Sequence, residues 1–230
     1  MSRRYSVLFA DADNTLFDFT RAEEHSFYAA MRTFQLDVDA PMYAWYSQVN
    51  DSLWKAFERG EITQPKLRVE RFRRLMEAYA LPLDPVQVAA GYTEQLAQST
   101  FLMPGALECM RRWAQRVPVY LVTNGLGDVQ RGRLERSALR PYVRDIIISQ
   151  EVGAQKPDPR MFEVALERAG WPDRGDVLML GDSLSSDIRG AAQAHIDSCY
   201  FNPRGLPNTS GITPTYEIRA LHEADALLTL

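Results

Sequence analysis

Five short apolar runs, at residues 5–10, 117–122, 145–148, 177–180 and 198–201, recur along the chain, with stretches of helical periodicity between most of them. That alternation argues a parallel sheet assembled from strand–helix units, an α/β class. A weaker sixth run lies at 216–218. The helix expected after Pro104 carries Leu107, Met110 and Trp113. The one expected after Asp158 carries Phe162, Ala165, Leu166 and Ala169, with Gly170 placed to terminate it.

One segment breaks the pattern. Between the first and second runs, residues 17–101 contain no convincing strand, and their apolar residues recur at helical spacing. Phe27, Met31 and Phe34 form one set; Tyr43, Tyr46, Val49, Leu53 and Phe57 a second; Phe72, Leu75, Met76 and Tyr79 a third; Val88, Tyr92 and Leu96 a fourth. Gly60 is placed to stop the second helix, and Thr63 with Pro65 to start the third. Four helices exceed what a crossover connection needs. The expected division is therefore an α/β core of residues 1–16 and 102–230, with a helical module of residues 17–101 inserted after the first strand. Residues 203–214 read as a loop.

Composition narrows the function classes. With 46% hydrophobic residues the chain can bury a core, and a net charge of −4 gives no bulk attraction to nucleic acid polymers or anionic membranes. The basic cluster at 68–74 alternates with apolar residues and reads as a solvated helix face. Cys109 and Cys199 make no disulfide framework and sit in apolar surroundings, as buried small hydrophobes do. Arg3 and Arg4 precede an apolar run that Asp11 and Asp13 interrupt, which is too short for a signal peptide, and no run approaches a membrane span. A cytoplasmic protein, monomeric or a small homo-oligomer, is expected.

The chemistry concentrates where the runs end. Asp11-Ala12-Asp13-Asn14-Thr15 closes the first. Two carboxylates there repel by about 4 kcal/mol at ~4 Å and an effective dielectric of ~20, so a cation or a proton must relieve them. Asp and Asn also serve as plain turn residues at such ends. Thr123-Asn124-Gly125 follows the second run, where a hydroxyl and exposed amides suit an oxyanion or a capping turn. Lys156 stands before Pro157, Asp158 and Pro159, the last two suited to start a helix. Gly181-Asp182-Ser183-Leu184-Ser185-Ser186-Asp187 ends the fourth run; Gly181 allows a sharp turn, Ser183 or Ser185 can cap the next helix, and Asp187 falls in its first turn, where it also suits the helix dipole. Each signal alone has an ordinary structural reading. Open α/β sheets, however, bind ligands at the carboxyl ends of their strands, and all four signals fall on that edge.

Asp11-x-Asp13-x-Thr15, Thr123-Asn124-Gly125, Lys156-Pro157 and Gly181-Asp182 with Asp187 resemble, in order and spacing, the four motifs of the haloacid dehalogenase-like hydrolases. The likeness covers essentially the whole chain. Residues 11–19, 49–60 and 148–157 look like the pyrimidine 5′-nucleotidase branch. Asn14 stands where glycine is frequent in the superfamily. The resemblance implies a Rossmann-like three-layer core with a mainly parallel sheet of five to six strands, and an inserted helical-bundle cap. It implies a magnesium-dependent phosphatase in which Asp11 attacks phosphorus and Asp13 serves as general acid and then base. Magnesium would be held by Asp11, the Asp13 carbonyl and Asp182, with Asp187 supporting a metal-bound water or orienting Lys156. Thr123, the Asn124 amide and Lys156 would bind the phosphoryl group. A carboxylate at Asp13 resembles the superfamily's phosphatases and phosphomutases rather than its dehalogenases.

The expected substrate is a nucleoside monophosphate. Asn50 and Trp54, on one broad face with Tyr46 and Phe57, are candidates to contact its base, although most of that face suits packing between helices. The alternatives are a sugar-phosphate phosphatase or phosphomutase, and a non-catalytic phosphate-binding regulator on the same fold. A dinucleotide enzyme lacks its glycine fingerprint after the first strand.

Overall fold

The computed structural model describes residues 5–228; Arg3 and Arg4 lie outside them. Six strands form one sheet: β1 (Val7–Ala10), β2 (Val119–Thr123), β3 (Asp145–Ile148), β4 (Val177–Gly181), β5 (Asp197–Phe201) and β6 (Tyr216–Ile218). Their spatial order is β3-β2-β1-β4-β5-β6, and every pairing is parallel. The chain order reverses between β1 and β4. In doubly wound folds the ligand crevice opens at that point.

Burial on both faces explains the near-continuous apolar strands. Side chains alternate between two clusters. Leu8, Ala10, Leu121, Leu178 and Leu180 pack on one side with Met110 and Trp113. Val7, Phe9, Val122, Val177 and Met179 pack on the other with Met161, Phe162 and Ala191. This is the expected three-layer arrangement. In the core unit, residues 1–19 and 100–230, the helices are α5 (Ala106–Trp113), α6 (Gly127–Arg136), α7 (Ser149–Val152), α8 (Pro159–Arg168) and α9 (Arg189–Gln193). Asp158 caps α8 by accepting from the Arg160 amide at 2.9 Å, with Pro159 at the first position. Gly170, at φ +81°, follows that helix in the left-handed conformation of a C-terminal stop.

The second compact unit spans residues 20–99. Four helices enter it: α1 (Phe19–Thr33), α2 (Ala40–Glu58), α3 (Gln64–Ala78) and α4 (Pro85–Gln98). Each of the four apolar sets maps to one of them, with Phe34 and Tyr79 just past the ends of α1 and α3. Phe27, Tyr46, Phe72 and Tyr92 converge in its centre, with the Tyr46 and Phe72 rings stacked at 5.2 Å. The 68–74 cluster divides. Arg73 and Arg74 pair with Glu70 at the surface, as a solvated face would. Arg71 does not: it is buried, donates to Asn50 at 3.0 Å and lies 4.6 Å from the Tyr92 ring centre. Its guanidinium finds in the helix bundle the acceptor and aromatic face that offset lost hydration. Cys109 and Cys199 are buried and unbridged. Among the described residues no helix is long and apolar enough to cross a membrane.

Candidate active site

Asp11 follows β1 and is buried against the neighbouring strand, its amide donating to the Leu180 carbonyl at 2.8 Å. Asp182 follows β4, the strand beside β1. Asp187 lies in the turn Leu184–Ile188, whose i→i+5 bonding leads into α9, and Ser183 caps that turn by accepting from the Ser186 amide at 3.2 Å. Carboxylate oxygens of Asp11, Asp182 and Asp187 all lie within 4.8 Å of one another.

Between two of them sits Lys156. Its side chain is 1% exposed, and all three ammonium protons are used: Nζ donates to Asp11 Oδ1 at 2.5 Å, Asp187 Oδ1 at 2.6 Å and the Val122 carbonyl at 2.6 Å. The loop carrying it is tied to the end of β2 by Asn124, whose amide donates to the Lys156 carbonyl at 2.9 Å while its oxygen accepts the Lys156 amide at 2.8 Å.

One ammonium does not balance three acids. Burial pushes Asp11 up to about 7; Lys156 pulls it down, while Asp187 and Asp13 push it up further. Burial likewise holds Asp182 well above the usual carboxylate range, with Asp11 and Asp187 adding to it. Burial also works against the charge on Lys156, but Asp11 and Asp187 outweigh it and keep the amine above its ordinary value. A hard-oxygen set short of positive charge suits magnesium or another hard divalent cation.

Thr123 ends β2 and is buried. Its Oγ1 accepts from the Gly125 amide at 3.1 Å and from Gln130 Nε2 at 3.2 Å. With its lone pairs so engaged, the hydroxyl proton is free to be given to an incoming oxyanion.

Asp13 stands apart from the three-acid group. Its Oδ2 accepts from Gln130 Nε2 at 2.5 Å, and its Oδ1 pairs with Arg133 Nη1. Sequence reading did not single out Gln130 or Arg133, which lie one helical turn apart on α6 among charged residues. Asn14, beside Asp13, has φ +58°, a left-handed conformation that asparagine tolerates nearly as glycine does. The departure from the superfamily's commonest residue thus keeps the turn.

Gly181 is needed for a different reason than the sharp turn expected of it. Its φ is not positive; instead, a Cβ there would run into the Asp187 side chain.

The two candidates in the helical unit differ in burial. Asn50 is 3% exposed, with its amide nitrogen 2.5 Å from Glu23 Oε1 and its oxygen accepting from Arg71. Trp54 is half-buried, edge-on to Phe57 at 5.7 Å, and its indole N–H has no acceptor among the described residues. Tyr46 is fully buried in the aromatic centre.

A profile of the haloacid dehalogenase-like hydrolases matches residues 5–195. The chain belongs to this family. It is similar to the pyrimidine 5′-nucleotidase YjjG of Escherichia coli, with 35% identity across 98% of each chain. It is also similar to the pyrimidine 5′-nucleotidase PynA of Streptococcus pneumoniae, 33% identical over 93% of this chain and 91% of that one. The crystal structure of YfnB of Bacillus subtilis, a protein named at the level of a HAD hydrolase and bound to magnesium in that crystal, superposes with a TM-score of 0.93. It is 34% identical and the match covers 99% of this chain and 100% of that one. The chain is therefore a HAD-like hydrolase, and its six-stranded parallel sheet with an inserted helical unit is that family's architecture.

Proposed function

We propose that this hydrolase is a magnesium-dependent phosphomonoesterase acting on nucleoside 5′-monophosphates, pyrimidine ones preferred, through a phosphoryl group carried on Asp11. The observation that carries the phosphatase reading is the second carboxylate. Asp13 follows the nucleophile by two residues and is linked through Gln130 to Thr123, where a phosphoryl oxygen would be held. The similarity to YjjG and PynA over nearly the full chain supports the nucleotide.

Asp11 and Asp182, with the Asp13 carbonyl, would hold the magnesium ion, and Asp187 would hold Lys156 in place beside it. When bound, magnesium supplies the positive charge that lets an anionic nucleophile approach an anionic phosphate. Thr123 donates its hydroxyl proton to a phosphoryl oxygen, and the Asn124 backbone amide adds a second donor. Lys156 neutralises charge on Asp11 and on the phosphoryl group. An Asp11 oxygen then forms a bond to phosphorus as the P–O bond to the nucleoside breaks, and the Asp13 carboxyl gives its proton to the departing 5′-oxygen. In the second half-reaction Asp13 takes a proton from water, whose oxygen bonds to phosphorus. The Asp11–phosphorus bond breaks and inorganic phosphate leaves.

The core motifs grip only the phosphate, so selectivity for the leaving group is assigned to the inserted helices, including Asn50 and Trp54. Asn50, whose amide is engaged with Glu23 and Arg71, would exchange one of those bonds to meet the base. A comparison of kcat/KM for dUMP, dTMP, AMP and a sugar phosphate, with and without magnesium, tests both levels. The pyrimidine nucleotides should lead. A sugar phosphate favoured over every nucleotide by tenfold, about 1.4 kcal/mol of transition-state discrimination, would overturn the nucleotidase reading and leave the phosphatase reading standing. Absence of any magnesium-dependent turnover would overturn both.

A further inference from the structure

Both oxygens of Asp13 are held by one face of α6. Gln130 and Arg133 are three residues apart, so their side chains emerge side by side. Gln130 Nε2 lies 2.5 Å from Asp13 Oδ2, and Arg133 Nη1 donates to Oδ1. Several features show that this arrangement is built rather than incidental.

Arg133 has no exposed surface, a costly position for a guanidinium unless its charge is answered. The loop that carries Asp13, with the first residue of α1, also supplies the surface on which the cation rests. The Phe17 ring centre is 4.6 Å and the Phe19 ring centre 6.0 Å from the Arg133 guanidinium carbon. That loop is closed by the Asn14 amide donating to the Phe17 carbonyl at 2.7 Å, so the carboxylate and the stacking ring are fixed relative to each other.

Gln130 is 2% exposed and its Oε1 has no hydrogen-bond partner among the described residues. Leaving a buried carbonyl unsatisfied costs about 1–3 kcal/mol, and an apolar side chain would fill the space without that loss. The part of the side chain that is engaged is its amide nitrogen, whose protons go to Asp13 and to Thr123. Gly125 supports the same conclusion: a Cβ there would collide with the Gln130 side chain, so the residue after Asn124 has to be glycine for Gln130 to lie where it does.

We propose that Gln130 and Arg133 are positioning residues for Asp13. Arg133 fixes the carboxylate's place at the edge of the site. Gln130, shared between Asp13 and Thr123, couples the phosphoryl-binding hydroxyl to the acid–base group. When a phosphoryl oxygen claims the Thr123 proton, the bond between Gln130 and Thr123 adjusts, and with it the hold on Asp13. Neither residue touches the reacting atoms; Arg133 acts through Asp13, and Gln130 through Asp13 and Thr123. This inference rests on the phosphatase reading above and does not depend on which phosphomonoester is the natural substrate.

The test is a double-mutant cycle with p-nitrophenyl phosphate and a simple alkyl phosphate, both free of any base. Arg133→Met in the wild-type background should lower kcat on the alkyl ester by about a hundredfold, the low end of what acid–base help contributes, with KM changed less than about threefold. In an Asp13→Asn background the same substitution should change kcat by less than about threefold, because the group it positions is already gone. Arg133→Lys should recover part of the loss, since it keeps the charge but not the planar fork. Gln130→Leu, which removes the amide protons without an orphaned oxygen, should cost more in the wild-type than in the Asp13→Asn background, the remaining loss being its hold on Thr123, and serves if Arg133→Met fails to fold. Equal losses in the two backgrounds would overturn the proposal and assign the pair a purely structural role. A wild-type enzyme inactive on both esters and on every nucleotide would instead bring down the phosphatase reading itself.

Discussion

Gly181 and Asp187 are packed so closely that the Asp187 side chain fills the space a Cβ at position 181 would need. Asp187 in turn accepts from the Ser183 amide at 3.0 Å and from Lys156 Nζ at 2.6 Å. A methyl group at 181 therefore displaces the acceptor that orients Lys156. Gly181→Ala should lower kcat at least about tenfold while destabilising the fold by about 1–3 kcal/mol, the usual range for overpacking. Steady-state kinetics beside a urea titration will check this. Unchanged kcat would show that Asp187 does not govern Lys156.

Removing Lys156 should do more damage. Lys156→Met leaves Asp11 and Asp187 buried without their shared cation, and breaking one side of a buried pair typically costs about 3–5 kcal/mol. Turnover should fall below detection, and thermal stability should fall with it. Magnesium should restore part of the stability in the variant by answering the same carboxylates. A variant as stable as wild type without metal would contradict the electrostatic reading of the cluster.

Glu23 gives a pH dependence that belongs to the helical unit alone. Burial pushes its carboxyl above the ordinary value of 4.5, against the pull of Arg71 and of hydrogen bonds from Asn50, Ser47 and Tyr43. A carboxyl raised on folding favours the protonated native state. Its contribution is full below 4.5 and is lost as pH rises through the raised value. Wild type should therefore lose stability with rising pH across that window relative to Glu23→Gln. Midpoints of denaturant unfolding for the two proteins, taken at several pH values, should converge at low pH and separate above it. A constant difference would mean the carboxyl is not shifted.

The core strands were legible because both of their faces are buried, which makes each a compact apolar run; the run at 145–148 coincides with β3 to the residue. The site was legible for a related reason. Carboxylates, a hydroxyl and a lysine placed directly after such runs stand out, and the parallel topology brings them to one edge. Other features depend on partners distant in sequence. Arg71 reads as one more charge in a basic helix until α2 supplies Asn50 and α4 supplies Tyr92. Arg133 is hidden in the same way on α6, among Asp128, Arg131, Glu135 and Arg136. Its only local signal is the three-residue spacing from Gln130, itself seven residues past Thr123. Gly181 reads as a turn residue, because sterics against Asp187, six residues on, leave no mark in composition.

Asp13→Asn separates the two half-reactions. With a nitrophenolate leaving group the first step needs little acid, so phosphorylation of Asp11 should proceed while hydrolysis of the intermediate, which still needs a base, slows by about 10²–10⁴-fold. Rapid mixing should show a burst of nitrophenolate close to one equivalent, followed by slow turnover. Wild-type turnover on this substrate would remove Asp13 from the acid–base role.

The most direct measurement is the location of the phosphoryl group itself. Wild-type and Asp13→Asn enzymes, mixed with phosphomonoester and magnesium, are quenched in acid and mapped by peptide mass spectrometry, with Asp11→Asn as control. Phosphate should be found on Asp11, should accumulate in Asp13→Asn, and should be missing from Asp11→Asn, which keeps the shape but loses the nucleophile. Phosphate on another residue, or wild-type turnover by Asp11→Asn, would contradict the account.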